Sequence, residues 1–538
     1  MAEAAMPGPA SPQARLAAAA ALHDAGRLPE AEKALRSLLA DPLGTGGPRP
    51  VPVLIRLAGV LLDMGEVERA YAVVDEAAAS EPTNPLALNL RGTALVRLGR
   101  RREAEAALRA AIAVEPEMVE AHFNLGNLLA GEARMAEAAV AFRVALDLAP
   151  RFTAARRALS AALRDDGRFA QALAEIDRVI ADEGRSPELL NERGIVLIAL
   201  RRAEEAVAAF DAAIAANPDF TAPQFNRSIA LLHLGDYRRG WAAYENRFRT
   251  AMVRQMPFER PRWTGAEPIE GRTIVLWGEQ GHGDTLQFVR YATLVAGRGA
   301  RVVVLCQTGL APLLASVPGV DAAVPVGASV GPHDFHAPLM SLPAIFGTTP
   351  QTIPAAVPYL APDAATRARW AGRLPDSGRL RVGLAWAGEA RAHMPQSHAT
   401  DRRRSLRLDW LAPLFDVPGV DLVSLQFGRR AAERQQVAFG ERLIDPMADV
   451  RSFADTAALM EQLDLVISVD TAVVHLAGAL GRPTWMLSRW DGCFRWFIDR
   501  DDSPWYPTLR LFRQPAPGDW APAIARVAEA LRERAAAR

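Results

Sequence analysis

Lysine is almost missing from this chain. Lys33 is the single one among 538 residues, so arginine carries nearly all of the positive charge. Cysteine is scarce too: only Cys306 and Cys493 occur, far apart in sequence. A disulfide scaffold is thereby excluded, and a reducing compartment fits best. Net charge is absent, because 62 Lys and Arg balance 62 Asp and Glu. That balance gives no electrostatic reason to expect nucleic acid or an anionic membrane as the main partner. Long apolar runs are missing as well. The alanine-rich stretch 16–22 is too short for a secretory core and lacks a basic region before it, and no run approaches a membrane span. The expectation is a soluble cytoplasmic protein with no integral membrane segment, able to work at the inner face of a membrane. Its length exceeds one typical core, so two to four domains are expected.

The first half contains a period. Gly65, Gly99, Gly167 and Gly235 fall on a 34-residue grid whose missing points are Ala133 and Arg201. Pro82, Pro116, Pro150 and Pro218 share the period, with Gly184 at the gap. Ala70, Ala104, Ala138, Ala172 and Ala206 form a third series, and Gly92, Gly126 and Gly194 a fourth. Helix pairs explain all four. Small residues let antiparallel helices approach, a glycine occupies the tight turn between them, and proline stops the second helix. Leu108, Ile112, Phe142, Leu146, Phe210 and Ile214 have the four-residue spacing of a buried stripe. This pattern resembles the tetratricopeptide repeat over roughly 51–250. A degenerate unit around Gly26 and Ala31 extends the expected solenoid to 12–250, and the Gly/Pro-rich segment 41–52 is expected to break the stack or bulge from it.

A solenoid of this kind has a concave groove suited to a peptide or protein, although it can also be a spacer or a dimerisation arm. Asn124, Asn191 and Asn226 recur near one repeat position. They could hydrogen-bond an extended peptide, or simply form a solvated helix face.

After about Pro257 the period changes. Apolar runs at 273–277, 301–305, 322–326, 380–385, 421–425, 465–469 and 484–487 alternate with amphipathic stretches, which predicts parallel sheets in an α/β fold. The expected division is a linker at 251–271, a doubly wound half at 272–362, a hinge at 363–379, and a second half at 380–538 ending in a helix. Ligands of such sheets bind beyond the carboxyl ends of strands, so the loops after Trp277, Ala385, Leu425 and Val469 are the ones to inspect.

The first of these loops reads Gly278 to Thr285 and includes Gly281, His282 and Gly283. Its glycines let the backbone pass close to a ligand. Asp284 there is either a helix N-cap or a general base projecting into the cleft. Gln287 follows in the helix. The glycine spacing does not support a dinucleotide. After Val469, Asp470, Thr471 and His475 open a helix whose free amides could hold a phosphate, while Asp470 and Thr471 could bond a sugar hydroxyl. A capped helix with a satisfied histidine is the alternative. After Ala385 come Trp386 and Gly388, then a polar loop ending in Arg402, Arg403, Arg404 and Ser405; its arginines are either solvated or suited to a diphosphate. Gln426 beyond the next strand could meet a nucleobase edge.

"GEQGHGDTLQFVRY", "VGLAWAG", "RRRSLRLDWLAPL", "VSLQFG", "DLVISVDTAVVHLAGALGRPTW" and "DSPWYPTLRLFRQ" together resemble the GT-B glycosyltransferases related to the ADP-heptose lipopolysaccharide heptosyltransferases of family nine, over roughly 270–515. The repeat-plus-transferase architecture is also similar to that of the protein O-linked N-acetylglucosamine transferases. The resemblance implies two Rossmann-like halves, with Asp284 as catalytic base on the acceptor side. It implies a nucleotide-diphosphate sugar held against Asp470, Thr471 and His475, with no metal and no other cofactor. Asp499 and Asp501 are accordingly read as surface charge. The chain departs from the family at Ala472, where glycine is common. His282 stands where relatives often carry an apolar residue. The chain also lacks the family's lysine near the donor phosphates, so Arg403 or Arg404 takes that role or the role is lost. Three functions follow as expectations: sugar transfer to a protein presented by the repeats, transfer to a lipid-linked glycan, or a scaffold whose transferase half no longer turns over.

Overall fold

The computed structural model describes residues 11–40, 49–250, 253, 256–389 and 395–537. Most of the segment expected to interrupt the stack (41–48) and part of the loop after Gly388 (390–394) lie outside them. Among the described residues, fourteen α-helices run from Pro12 to Tyr244. They fall into two compact units. One runs to Asp166 and includes Ala174–Val179; the other comprises Gly167–Leu173 and everything from Ile180 onward.

The 34-residue grid is a grid of left-handed turns. Gly65, Gly99, Gly167 and Gly235 have φ of 80°, 74°, 87° and 76°, and the points without glycine do the same, Ala133 at 60° and Arg201 at 61°. In these turns the following amide reaches back over the helix end, as from Arg100 N to Leu95 O, Arg134 N to Leu129 O and Arg202 N to Leu197 O, all 2.9 Å. A side chain in this conformation costs roughly 1–2 kcal/mol, so helix packing imposes the turn where composition does not favour it. The alanine series is fully buried. A Cβ on Gly92 would lie 2.6 Å from Leu108 Cγ, and one on Gly126 would overlap the Phe142 ring. The glycine series therefore exists to admit the large side chain 16 residues later.

The asparagines expected to line a peptide groove pair between the first helices of neighbouring repeats. Asn124 Nδ2 donates to Asn89 Oδ1 at 3.0 Å and Thr93 Oγ1 at 3.3 Å. Asn226 Nδ2 donates to Asn191 Oδ1 at 2.9 Å. Asn89 and Asn191 are buried. An amide in a crowded inter-helix seam must find a partner, and its counterpart one repeat away is the nearest.

The last helix pair does not stand apart from the α/β region. Phe225, Leu232, Tyr237, Trp241 and Tyr244 share one core with Phe288, Phe494 and Trp505. Trp241 meets Phe288 and Phe494 edge-on at 5.7 Å, and Trp505 Nε1 donates to Tyr237 Oη at 3.1 Å. A division into compact units lies inside the helix Phe169–Glu183. The end of the expected linker is itself docked: His336 N donates to Pro261 O at 3.2 Å, and Trp263 N to His336 O at 2.8 Å.

Two parallel sheets follow. The first contains β1 (Thr273–Trp277), β2 (Arg301–Cys306), β3 (Ala322–Pro325) and β4 (Phe335–Pro338) in the order β3-β2-β1-β4. Val275 lies opposite Val303 on one side and His336 on the other. The second contains β5 (Leu380–Ala385), β6 (Val420–Ser424), β7 (Leu465–Val469), β8 (Thr484–Ser488) and β9 (Leu509–Arg513) in the order β6-β5-β7-β8-β9. β4 and β9 were not expected. The first carries His and Pro, the second alternates with Arg, and neither reads as an apolar run. The hinge holds a helix, Ala364–Trp370, with Trp370 Nε1 bonded to Asp455 at 2.8 Å. The terminal helix Ala521–Ala536 lays Ile524, Val527 and Leu531 into the core of the second sheet beside Leu465 and Leu487. The architecture is a tetratricopeptide solenoid followed by an α/β region of GT-B type.

Strand order reverses between β1 and β4 in one sheet and between β5 and β7 in the other. A crevice opens at such points beyond the carboxyl ends of the strands. The loops after β1, β5 and β7 all start there.

Candidate active site

The loop after β1 is fixed from below. Glu279 is fully buried and takes two bonds from Arg247, Nε to Oε2 at 3.0 Å and Nη2 to Oε1 at 2.9 Å, plus one from Met340 N at 3.1 Å. Burial pushes its carboxyl up, against the pull of Arg247. Burial also acts to lower Arg247, yet Glu279 and Glu245 hold it above its ordinary value. Gln280 Nε2 donates to Tyr244 Oη at 2.9 Å. The end of the solenoid thus grips this loop through Arg247 and Tyr244.

Gly281 is the N-cap of the helix His282–Phe288, and Asp284 is its third residue, not its N-cap. Asp284 Oδ2 accepts from Gly281 N at 2.9 Å, the backward half of a capping box. Glycine has no side chain to complete the forward half. Asp284 Oδ1 accepts from Arg495, whose Nε also donates to Gln287 Oε1 at 2.6 Å. The Asp284 side chain is 22% exposed and that of Arg495 9%. Burial opposes the charge on Arg495, but Cys493 and Asp284 hold its pKa above the ordinary value. The carboxylate is thus both a cap and an ion-pair partner, and it still reaches solvent.

Gly283 carries the first loop onto the second half. A Cβ there would stand 2.6 Å from His475 Cδ2 and 3.5 Å from Ala472 Cα. Ala472 begins the helix Ala472–Ala479, with Thr471 as its N-cap residue. His475 bonds Tyr506 Oη at 3.0 Å through Nδ1 and stacks on Trp496 at 5.4 Å. Burial drives its pKa down to about 4, so it is neutral near pH 7. Thr471 Oγ1 lies 3.3 Å from Ser468 Oγ.

The arginine loop joins the same helix start. Arg404 Nη1 donates to Asp470 O at 3.0 Å, while its Nε and Nη2 grip Asp401 at 3.0 and 2.8 Å. Gly388 N donates to Ser405 Oγ at 3.0 Å. Arg403 turns the other way, to Asp491 beyond β8, at 3.1 Å through Nε.

Two expected donor contacts are corrected. Gln426 is 2% exposed. Its Oε1 accepts from Trp386 N and Ala387 N at 3.0 and 2.9 Å, and its Nε2 donates to Ala387 O and Phe427 O at 3.0 and 2.9 Å. An amide with every bond spent inside has none for a nucleobase; it fixes the loop after β5. The Trp386 ring is buried in the second core with its Nε1 on Glu433 at 3.1 Å. Three first-loop side chains are likewise engaged within the protein. Thr285 Oγ1 donates to Gln307 Oε1 at 2.9 Å, Gln287 is buried beneath Arg495, and His282 stacks on Phe453 at 5.2 Å. Gly281, Gly283, Asp284, Asp470, Thr471, His475, Arg404, Ser405 and Gly388 are brought together.

Residues 433–487 match the glycosyltransferase family 9 (heptosyltransferase) model. The match covers β7, the helix start at Ala472 and most of β8. Tetratricopeptide repeat models match 89–151, 157–219 and 192–247. The chain is 31% identical over 350 residues to Protein FlbA of Caulobacter vibrioides, spanning 59% of this chain and 56% of FlbA, little more than half that protein's length. Among solved structures, YrrB, a TPR protein with an unusual peptide-binding site, is 22% identical over 32% of this chain and 90% of its own, with a TM-score of 0.30. PilF of Pseudomonas aeruginosa is 21% identical over 40% and 95%, with a TM-score of 0.35. The family matches and the FlbA relative support a glycosyltransferase domain joined to tetratricopeptide repeats. No helix among the described residues is long and apolar enough to cross a membrane.

Sequence reading missed Arg495, Arg247, Glu279 and Tyr506 as parts of this site. Arg495 is 211 residues from Asp284, and no local spacing can connect them. An arginine wedged in an aromatic run, Phe494-Arg495-Trp496-Phe497, was the available signal, because a cation is held among apolar rings only when a partner compensates it.

Proposed function

We propose that the chain transfers a sugar from a nucleotide-diphosphate donor to an acceptor hydroxyl on a protein presented by the repeats, an arrangement similar to that of the protein O-linked N-acetylglucosamine transferases. The observation that carries the reading is the contact of Gly283 with His475 and Ala472. It brings the loop that carries the partly exposed Asp284 against the helix start inside the family 9 match. Asp284 is the general base. Its bonds to Gly281 N and Arg495 orient the carboxylate, and each oxygen retains a lone pair for an acceptor hydroxyl. As the hydroxyl oxygen attacks the anomeric carbon, the bond to the donor phosphate breaks and Asp284 takes the proton. The free amides at Ala472 and the guanidinium of Arg404 stabilise the departing nucleoside diphosphate. Metal-independent chemistry belongs to the same proposal, with protein side chains and amides neutralising the leaving group.

The test is hydrolysis of a panel of nucleoside-diphosphate sugars by the purified chain, with Asp284→Ala alongside. The substitution is expected to lower turnover by about 10²–10⁴-fold. Unchanged turnover removes Asp284 from the chemistry. A mass-spectrometric search for sugar adducts on co-purifying proteins tests the acceptor; adducts confined to lipid-linked glycans exclude the protein. A non-catalytic scaffold is the second reading, favoured by the lack of any lysine after Lys33. Donor binding without turnover in the native chain would select it.

A further inference from the structure

Beyond β8 the chain gathers positive charge that the proposed reaction does not use. The loop Arg489–Cys493 holds one carboxylate, Asp491, with Arg489 Nη1 at 2.7 Å and Arg403 Nη2 at 3.0 Å from its Oδ2. Arg201, at the left-handed turn of the fifth grid point, stacks its guanidinium 3.9 Å over the Trp490 ring and donates Nε to Trp490 O at 2.7 Å. Arg513 ends β9 and gives its Nε to Arg500 O at 3.1 Å. Its Nη1 would lie 3.7 Å from a Cβ on Gly492, so it is aimed into the same loop. His233 is buried alongside, and burial together with Arg489 lowers its pKa to about 4; it contributes no charge near pH 7. Arg489, Arg403 and Arg201 therefore gather about Asp491, and Arg513 stands beside the loop with Asp499 and Asp501 acting on it.

Several donors around this loop lack a protein acceptor. Arg201 Nη2, Arg489 Nε, Arg513 Nη1, Trp490 Nε1 and Gln514 Nε2 are all buried donors without a protein acceptor. Arg513 is 9% exposed and Gln514 3%. Buried donors are rarely left orphaned, and five around one loop are complementary to an oxyanion with several acceptor lone pairs. Guanidinium forks match phosphate oxygens in this way.

We propose that Arg201, Arg489 and Arg513, with Trp490 and Gln514, form a phosphate-oxyanion site between the repeat turn and the loop after β8, in which Asp491 is the resident competitor. The site stands on these contacts alone. Its occupant is an inorganic phosphate or pyrophosphate, separate from the amides at Ala472 and the Arg404 guanidinium that the transferase reading gives to the donor. Asp491 gives up Arg489 as the anion enters, and no covalent step is involved.

Calorimetric titration of the intact chain with inorganic pyrophosphate tests this. Saturable binding is expected, weakened about ten-fold by Arg489→Gln and by Arg201→Gln and tightened by Asp491→Asn, which removes the competing charge. A purely structural cluster cannot produce opposite signs from the two kinds of substitution. No saturable binding, or binding indifferent to all three, overturns the site. Should an arginine variant lose its helical circular-dichroism signal, Asp491→Asn decides: unchanged or weaker binding rejects the proposal. Titration with UDP, GDP and ADP then tests whether the site is separate. Binding of these nucleotides is expected to be indifferent to Arg201→Gln and Arg489→Gln; a nucleoside diphosphate that follows the pyrophosphate pattern would make this the donor seat and overturn a separate site. Failure here leaves the Asp284→Ala test untouched, and loss of that reading leaves pyrophosphate binding as it is.

Discussion

The two parallel sheets fix the loops at their carboxyl ends by opposite means. After β1 the anchor is ionic: Glu279 and Arg247 are both fully buried, and Arg247 comes from the end of the repeat helices. After β5 the anchor is neutral: one glutamine, Gln426, satisfies the backbone on both sides of Ala387, and it comes from the neighbouring strand. The half that would receive the acceptor is thus held by the element that would deliver it. The loop after β5 is anchored from within its own half. A buried ion pair is costly to desolvate and strict in geometry, so the first loop adopts its shape only when the repeat end is in place.

That contrast can be broken in graded ways. The largest effect is expected from Arg247→Ala, which strands Glu279 as a buried unpaired charge. A loss of about 3–5 kcal/mol should appear in urea unfolding. Arg247→Met combined with Glu279→Gln should recover much of it, and a loss below 1 kcal/mol for the single substitution would show that the pair is not an anchor. Acid comes next. His475 on the second half and His233 in the repeats both have pKa values lowered by burial to about 4, against 6.5 when unfolded. The unfolded chain therefore binds more protons between those values. Stability should be full above about pH 6.5, fall as pH drops to about 4, and level off below, by on the order of a few kcal/mol for the two together. Unfolding measured at pH 7 and pH 5 should show the difference shrinking in His233→Gln. Gln426→Leu should cost less, about 1–3 kcal/mol, by orphaning the amides of Trp386 and Ala387. Because this anchor is local, turnover should fall with little change in global unfolding cooperativity. The smallest effect is a gain. Ala133→Gly removes the Cβ from a turn with φ of 60° and should stabilise the first unit by about 1 kcal/mol, read as a rise in its melting temperature.

The same contrast explains what could be read from residues alone. The turn grid was legible because each turn is closed by bonds between neighbours in sequence, and it held even at Ala133 and Arg201, where the side chain argues against it. β1, β5 and β7 were legible end to end because both faces of a parallel strand are covered and demand apolar residues. β4 and β9 were hidden by His336, Pro338 and two arginines. At the candidate site, the sequence pointed to Asp284 and the Asp470 helix start, each a local signal. It did not point to Arg495, and it assigned Gln426 to a ligand when buried backbone was the nearer claimant. Polar side chains meet distant partners through the fold, and one chain's order of residues does not carry that distance.

Successive repeat turns rest on the α/β region like teeth on a rack. Gly167 lies against Arg403, Arg201 against Trp490, and Gly235 against Phe497. A repeat inserted or removed beyond Gly167 would move both later teeth one slot and undo their two seats at once. Duplication can therefore lengthen this solenoid only toward its amino terminus, so evolution is free to retune how far it reaches while the gearing beside Asp284 stays fixed.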